Sequence, residues 1–89
     1  MNWNQLQYVL TIAQEKNITK AAQKLYLSQP SLSMSMKSLE QELGTALFER
    51  KNGTLSLTYA GELFCHWATS TLRSQQILSD QLSDISTDA

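Results

Sequence analysis

The stretch NITKAAQKLYLSQPSLSMSMKSLEQELG, residues 17–44, decides the fold because it contains two helical segments separated by a very short break. Thr19 is a favourable N-cap for a helix that runs to about Leu25. Ser28 is a favourable N-cap for the next helix, and Pro30 is tolerated in the first turn because an N–H group there has no helical partner. The stretch therefore predicts two helices joined by a tight turn.

The second of these helices has one apolar and one polar face. Apolar side chains at steps of three and four residues predict the buried face: Leu32, Met36, Leu39 and Leu43. The outer face carries mostly short polar side chains: Gln29, Ser31, Ser33, Met34, Ser35, Lys37 and Ser38. Short donors and acceptors allow a helix to lie deep in the major groove of DNA, although an ordinary solvated face has a similar composition.

The flanking segments complete a three-helix core and add a hairpin. Asn2 and Gln5 resemble a capping pair, and the helix that they start is expected to end at Lys16–Asn17. Gly44 is a favourable residue for ending the third helix. Beyond it, two short runs flank Asn52-Gly53, and this dipeptide is the strongest local signal for a β-hairpin. A hairpin this short is marginal alone, so it must lean on the helices.

One long helix is predicted from Tyr59 to about Leu82 or Ile85, capped by Thr58, with residues 86–89 frayed. Its apolar residues recur at nearly heptad spacing. The three helices and the hairpin are too small to bury the whole apolar stripe of this helix. The second half of the helix is therefore expected to pair with a second copy of the chain. The dimerisation residues are predicted to be Phe64, Trp67, Thr71, Leu78, Leu82 and Ile85, although packing of the first two within the monomer stays open.

Together these elements predict a mainly α fold. Residues 1–58 form a winged helix-turn-helix, with a three-helix core and a short β-hairpin wing, and residues 59–89 form a long linker and dimerisation helix.

The net charge of −1 is unevenly distributed. Residues 1–61 carry six Lys or Arg against four Glu, whereas residues 62–89 carry one Arg against four acidic residues. The predicted body is therefore mildly basic and the predicted linker acidic.

Several short motifs occur in order: Ala21-Ala22 with Leu25, Ser28-Gln29-Pro30-Ser31-Leu32-Ser33, Leu39-Glu40, Leu43-Gly44, Leu47-Phe48-Glu49-Arg50, and Leu57-Thr58 with Ala60-Gly61. Each motif is weak alone, but the ordered set is specific. Over about residues 1–85 the sequence resembles the amino-terminal domain of LysR-type transcriptional regulators. The resemblance implies a homodimer, paired through antiparallel linker helices, that binds an interrupted inverted repeat in double-stranded DNA and regulates transcription.

The resemblance also implies a carboxy-terminal domain that senses a small-molecule effector. Nothing in the 89 residues encodes that domain, so we expect an excised piece of a longer regulator, with a natural truncation as the alternative. The residues that the resemblance and the surface chemistry assign to DNA are Thr19, Lys20, Gln29, Pro30, Ser31, Ser33, Met34, Lys37, Arg50, Lys51 and Asn52. Among them, Gln29 could pair bidentately with adenine.

Met34 departs from the family pattern, in which many members have Arg or Lys at this place. A thioether cannot donate to guanine or phosphate, but it can contact a thymine methyl group. We therefore expect weaker and less salt-dependent binding, and a more A·T-rich site. The near-neutral charge and Met34 also keep open a different class of function, a winged-helix module that binds protein without specific DNA binding.

No constellation of an enzyme is present, so no catalytic residue, metal or cofactor is expected. Cys65 and His66 are adjacent, which places them about 100° apart on a helix, and the chain has no other Cys or His. A single cysteine, and the absence of a secretory signal or a long apolar run, predict a cytoplasmic protein. The acidic residues of the last helix make a membrane-surface role unfavourable.

Overall fold

The computed structural model describes residues 1–88, and within them the predicted winged helix-turn-helix followed by a long helix is confirmed. Three helices come first, then an antiparallel two-stranded hairpin and a fourth helix. In chain order the elements are α1 (Trp3–Glu15), α2 (Ile18–Lys24), α3 (Gln29–Leu43), β1 (Phe48–Lys51), β2 (Thr54–Leu57) and α4 (Tyr59–Asp88).

The start of α1 follows the prediction, but the start of α2 does not. Asn2 and Gln5 form the reciprocal capping box at α1. At α2 the N-cap is Asn17, whose side-chain oxygen accepts from the Lys20 N–H at 2.9 Å, and Thr19 lies inside the helix. The predicted Thr19 cap is wrong because the left-handed Lys16 (φ 53°) already ends α1. Asn17 is then free to begin the next helix.

The turn between α2 and α3 is as short as predicted. Tyr26 adopts a left-handed conformation (φ 58°), and Ser28 caps α3 by accepting from the Ser31 N–H at 3.2 Å. At the other end, Gly44 is the left-handed C-cap (φ 75°), a conformation that a side chain would disfavour. These local features fix where α3 begins and ends.

The core lies between α1, α2, α3 and the first half of α4. Ala21 and Ala22 are buried where α2 crosses its neighbours, which allows the close approach of helices. Leu32, Met36 and Leu39 are buried as predicted, but Leu43 is 38% exposed. This part of the prediction is wrong because the last turn of α3 borders an open groove along α4 instead of facing α1.

The hairpin has the predicted two-residue turn. Asn52 and Gly53 both have positive φ, 52° and 76°, which is the turn geometry that matches the twist of paired strands. The register pairs Phe48 with Leu57 and Lys51 with Thr54. Phe48 and Leu55 pack partly against the core, so the wing leans on the helices as expected.

Helix α4 begins at Tyr59, with the Thr58 hydroxyl oxygen accepting from the Gly61 N–H at 3.0 Å, as the sequence predicts. It continues through Asp88, three residues beyond the predicted end, whereas Ala89 lies outside the described residues. The expected fraying of residues 86–89 stays a prediction. The chain measures 55 × 25 × 21 Å, since α4 extends far beyond the body. Within residues 1–88, no helix has the length and apolar character needed to cross a membrane.

Candidate nucleic-acid interface

Helix α3 presents a mostly polar face to solvent. Its inner side chains are held in the core, which fixes the rotation of the helix and the direction of the opposite face. Met34 is 72% exposed near the middle of that face. The predicted side chains are exposed except Ser33, which is half-buried; the exposed ones are Gln29, Pro30, Ser31, Met34 and Lys37. The structure therefore brings the α3 part of the predicted site together.

The polar side chains at the start of α3 are already oriented by hydrogen bonds. The Ser28 hydroxyl donates to the Ser31 oxygen at 2.8 Å, and the Gln29 side-chain amide donates to the Ser33 oxygen at 2.9 Å. Both bonds lie at the exposed tip of the helix. They hold short side chains close to the α3 surface, which favours a deep fit in a groove.

One member of the predicted polar face points elsewhere. Ser35 is half-buried, and its hydroxyl and carbonyl oxygens both accept from the Gln5 side-chain amide at 3.2 Å. Gln5 is itself buried, and its own oxygen accepts from the Asn2 N–H at the start of α1. Ser35 therefore attaches α3 to α1, and its assignment to the outer face was wrong because it lies at the edge of the helix nearest α1.

Several basic side chains are carried by α2, α3 and the hairpin. Within the described part of the chain, Lys20, Lys37 and Arg50 have no carboxylate partner within 4.0 Å. Lys24 pairs with Glu15 at 2.9 Å, and the exposed Lys51 lies 3.5 Å from Glu49. The exposed Lys51–Glu49 pair is weak and readily exchanged for phosphate.

The two acidic residues of α3 are engaged with the protein itself. Glu40 Oε2 accepts from the backbone N–H groups of Leu47 at 2.6 Å and Phe48 at 3.3 Å. Glu42 pairs with the amino-terminal ammonium group of Met1 at 2.7 Å. The role of Glu40 could not be predicted from the sequence, because its partners are backbone groups beyond the end of the helix and leave no side-chain pattern.

The hairpin lies beside α3, across an open cleft of about 380 Å³. Ser33 and Lys37 line one wall of this cleft, and Phe48 and Leu55 line another. Ile18, at the start of α2, also borders it. The cleft thus brings the start of α2 and the hairpin beside α3, and on these elements Thr19, Lys20, Arg50, Lys51 and Asn52 are exposed.

A second surface, the apolar face of α4, is exposed along most of its length. Its described members are about half exposed or more: Trp67, Leu78, Leu82 and Ile85. Phe64 is 8% exposed and belongs to the core, which is the alternative left open for it by the sequence. It packs edge-on against Trp67, with ring centroids 5.6 Å apart, and Thr71 is half-buried.

Sequence reasoning also missed apolar residues that extend this face. Trp3 and Leu63 are 56% and 54% exposed. Trp3 lines an apolar groove of about 230 Å³ together with Leu6, Trp67 and Thr71. The apolar surface thus reaches from α4 onto the start of α1. Leu63 lies one turn before Trp67 of the predicted α4 stripe, and this spacing was the available signal.

Cys65 and His66 are neighbours in the first half of α4. Burial raises the pKa of the Cys65 thiol, which disfavours its thiolate form. His66 is exposed beside it on α4. Among the described residues, no group of three or more His, Cys, Asp or Glu side chains is arranged to hold a metal ion.

Comparison with known proteins identifies the family. Residues 3–62 match the model of the bacterial regulatory helix-turn-helix proteins of the lysR family. The HTH-type transcriptional regulator BsdA of Bacillus subtilis (strain 168) is 49% identical over 73 residues, which is 81% of this chain and 25% of that protein. The chain therefore spans about a quarter of the length of this relative.

Solved structures give the same result. The DNA-binding domain of BenM, in complex with catB site 1 DNA, superimposes with a TM-score of 0.93 at 32% identity, over 98% of this chain and 94% of that one. The CbnR domain in its DNA complex has a TM-score of 0.89 at 32% identity, over 97% of this chain and 99% of that one. The chain therefore belongs to the LysR family of bacterial regulatory helix-turn-helix proteins.

Proposed function

We propose that this domain binds double-stranded DNA in a sequence-specific manner and directs a cytoplasmic LysR-type regulator to its operator. The observation that carries the proposal is the exposed face of α3, together with three exposed cations that have no carboxylate partner in the described residues: Lys20 on α2, Lys37 on α3 and Arg50 on the hairpin. Cations around a face of short hydrogen-bonding side chains combine phosphate attraction with access to base edges.

Each part of this surface has a distinct role in the proposal. Thr19 and Lys20 contact phosphate beside the start of α3. The exposed face of α3 enters the major groove with Gln29, Pro30, Ser31, Ser33, Met34 and Lys37. Arg50, Lys51 and Asn52 of the wing contact the backbone or the minor groove. The body is residues 1–58, and residues 59–89 form the linker.

The domain acts as a homodimer in this proposal, with α4 pairing antiparallel to its copy. The large exposed apolar side chains of α4 support the pairing, since water-exposed stripes of this kind are uncommon on a monomer. Two-fold symmetry in the dimer requires an inverted repeat in the DNA. Recognition of a small-molecule effector belongs to a further domain of the whole regulator.

A winged-helix module that binds only protein is not favoured. The BenM and CbnR domains, which superimpose closely on this chain, were solved as DNA complexes. The acidic side chains of α3, which would oppose phosphate, are occupied by protein partners. The overall charge of −1 is therefore a poor guide to the charge of this surface.

Selection of bound duplexes from a random DNA pool tests the proposal. The purified domain at moderate salt is expected to enrich a dyad-symmetric site with two half-sites. Retention of DNA without any enriched motif, lost at modestly higher salt, would contradict sequence-specific recognition. A mutated dyad in which one half-site is scrambled serves as the matched control, and its affinity should fall sharply.

Met34→Arg is expected to make binding stronger and more salt-dependent, because it adds a donor at the centre of the α3 face. One additional phosphate contact steepens the slope of log K against log salt by about 0.9 per half-site. Titrations of the selected duplex across a series of salt concentrations measure this slope. Gln76→Arg, on α4, is the charge-matched control, and an equal slope for both variants would place position 34 away from the DNA.

A further inference from the structure

The segment between α3 and the hairpin, which we call the wing base (residues 46–48), is anchored to α3 through a single carboxylate oxygen. Glu40 Oε2 accepts from both the Leu47 and Phe48 N–H groups, at 2.6 and 3.3 Å. Leu47 is only 1% exposed, so water cannot easily replace the lost partner of its N–H. A hydrogen bond to a charged acceptor is also stronger than a neutral one.

The same segment is anchored to the start of α4 on its other side. The Thr58 N–H donates to the Leu47 carbonyl oxygen at 3.0 Å, and the Thr58 hydroxyl donates to the Ala46 carbonyl oxygen at 2.7 Å. The wing base therefore lies between two helices and is bonded to each. Of these anchors, Glu40 is the one that belongs to the helix proposed to enter the major groove.

We propose that Glu40 is a positioning residue for DNA binding. By fixing the wing base against α3, its carboxylate sets the orientation of the hairpin, so that Arg50 and Lys51 meet the DNA while α3 occupies the groove. A hairpin with four-residue strands is marginal alone and takes its orientation from such anchors. The inference rests on the proposed DNA-binding function and adds a residue that acts through the wing.

Glu40→Ala and Glu42→Ala form a matched pair for the test. Each removes one negative charge from the second half of α3, and that change alone should strengthen binding to DNA. Glu42→Ala is expected to show this modest gain. Glu40→Ala is expected to bind the selected duplex at least about tenfold more weakly than Glu42→Ala, because its wing loses orientation. The opposite direction of the two effects separates positioning from electrostatics.

Two further readouts distinguish positioning from a general loss of structure. Glu40→Ala should lose one to two phosphate contacts per half-site. Its slope of log K against log salt should therefore be shallower by about 0.9 for each lost contact. In the background of Arg50→Ala with Lys51→Ala, the further substitution of Glu40 should change affinity by less than about twofold. Glu40→Gln keeps the shape and an uncharged oxygen acceptor, and an intermediate effect is expected.

Hydrogen exchange of the free protein tests the anchor without DNA. In Glu40→Ala the amides of the wing base and hairpin should exchange at least about tenfold faster, while those of α1 keep their protection. Three outcomes would overturn the proposal. The first is an equal loss of protection throughout the domain, and the second is an effect of Glu40→Ala on affinity that simply adds to that of the Arg50 and Lys51 substitutions. The third is an equal affinity of Glu40→Ala and Glu42→Ala for the selected duplex. If the unmodified domain selects no DNA sequence, the proposed function fails, and the exchange result still decides whether the anchor exists.

Discussion

Gly61→Ala is expected to destabilise the domain by about 3 kcal/mol or more, at the upper end of the usual cost of overpacking. A Cβ atom at position 61 would overlap the Leu47 carbonyl oxygen and lie 2.9 Å from Leu57 Cδ2. The conflicting oxygen belongs to the backbone and accepts from the Thr58 N–H, so it cannot move aside alone. Thermal unfolding at a fixed protein concentration should show a Tm lower by more than about 10 °C.

Gly53→Ala is the control for this prediction. Gly53 has φ +76° but no atom within 4 Å of an added Cβ, so only the left-handed backbone is penalised. The expected cost is about 1 kcal/mol. Equal destabilisation by the two substitutions would mean that the close approach of α4 to Leu47 is not a determinant of stability.

Leu78→Asp is expected to abolish dimerisation at micromolar concentration. Leu78 is 55% exposed in the monomer and lies in the predicted seam of α4, and the symmetric dimer loses two such side chains. Each buried leucine contributes about 1.5–3 kcal/mol, so the dissociation constant of the dimer should rise by about 100-fold or more. Analytical ultracentrifugation measures this change, and affinity for the two-half-site duplex should fall with it.

Gln76→Asp is the matched control for Leu78→Asp, because it adds the same charge on the opposite side of the helix. It is expected to leave the dimer and its DNA affinity nearly unchanged. The fold is tested independently by circular dichroism, since position 78 lies beyond the monomer core. A dimer unaffected by Leu78→Asp would place the subunit interface elsewhere, for example on the groove beside Trp3.

Features that depend on neighbouring residues could be predicted from the sequence. The Asn2–Gln5 box, the Ser28 cap and the Asn52-Gly53 turn involve groups at most three residues apart, so their chemistry was visible in the chain. The N-cap of α2 was predicted wrongly because Asn17 and Thr19 are both favourable N-cap residues. The left-handed Lys16 decided between them by ending α1 one residue before Asn17.

Features that depend on how the helices pack could not be predicted in the same way. Leu43 and Phe64 have the periodicity expected of their faces, but one lies at the edge of the body and the other inside it. The Gln5 bond to Ser35 and the Glu40 bonds to the wing base join groups seven or more residues apart. The spacing of apolar residues along a helix predicts which way a side chain points. Whether that side chain is buried depends on how far the neighbouring helix extends beside it.

Because α4 is uninterrupted, its length sets how the two DNA-binding bodies of a dimer are rotated relative to each other. Each residue in a helix advances the chain by about 1.5 Å and rotates it by about 100°. Because the wing base is bonded at Thr58, where α4 begins, any residue inserted between the body and the seam turns the whole body about the helix axis. Seven added residues leave the body only about 20° from its original orientation and four leave it about 40° away, whereas two or five rotate it by about 160° or 140° and turn α3 away from the DNA. Linker length in such a dimer is therefore constrained to nearly whole helical turns.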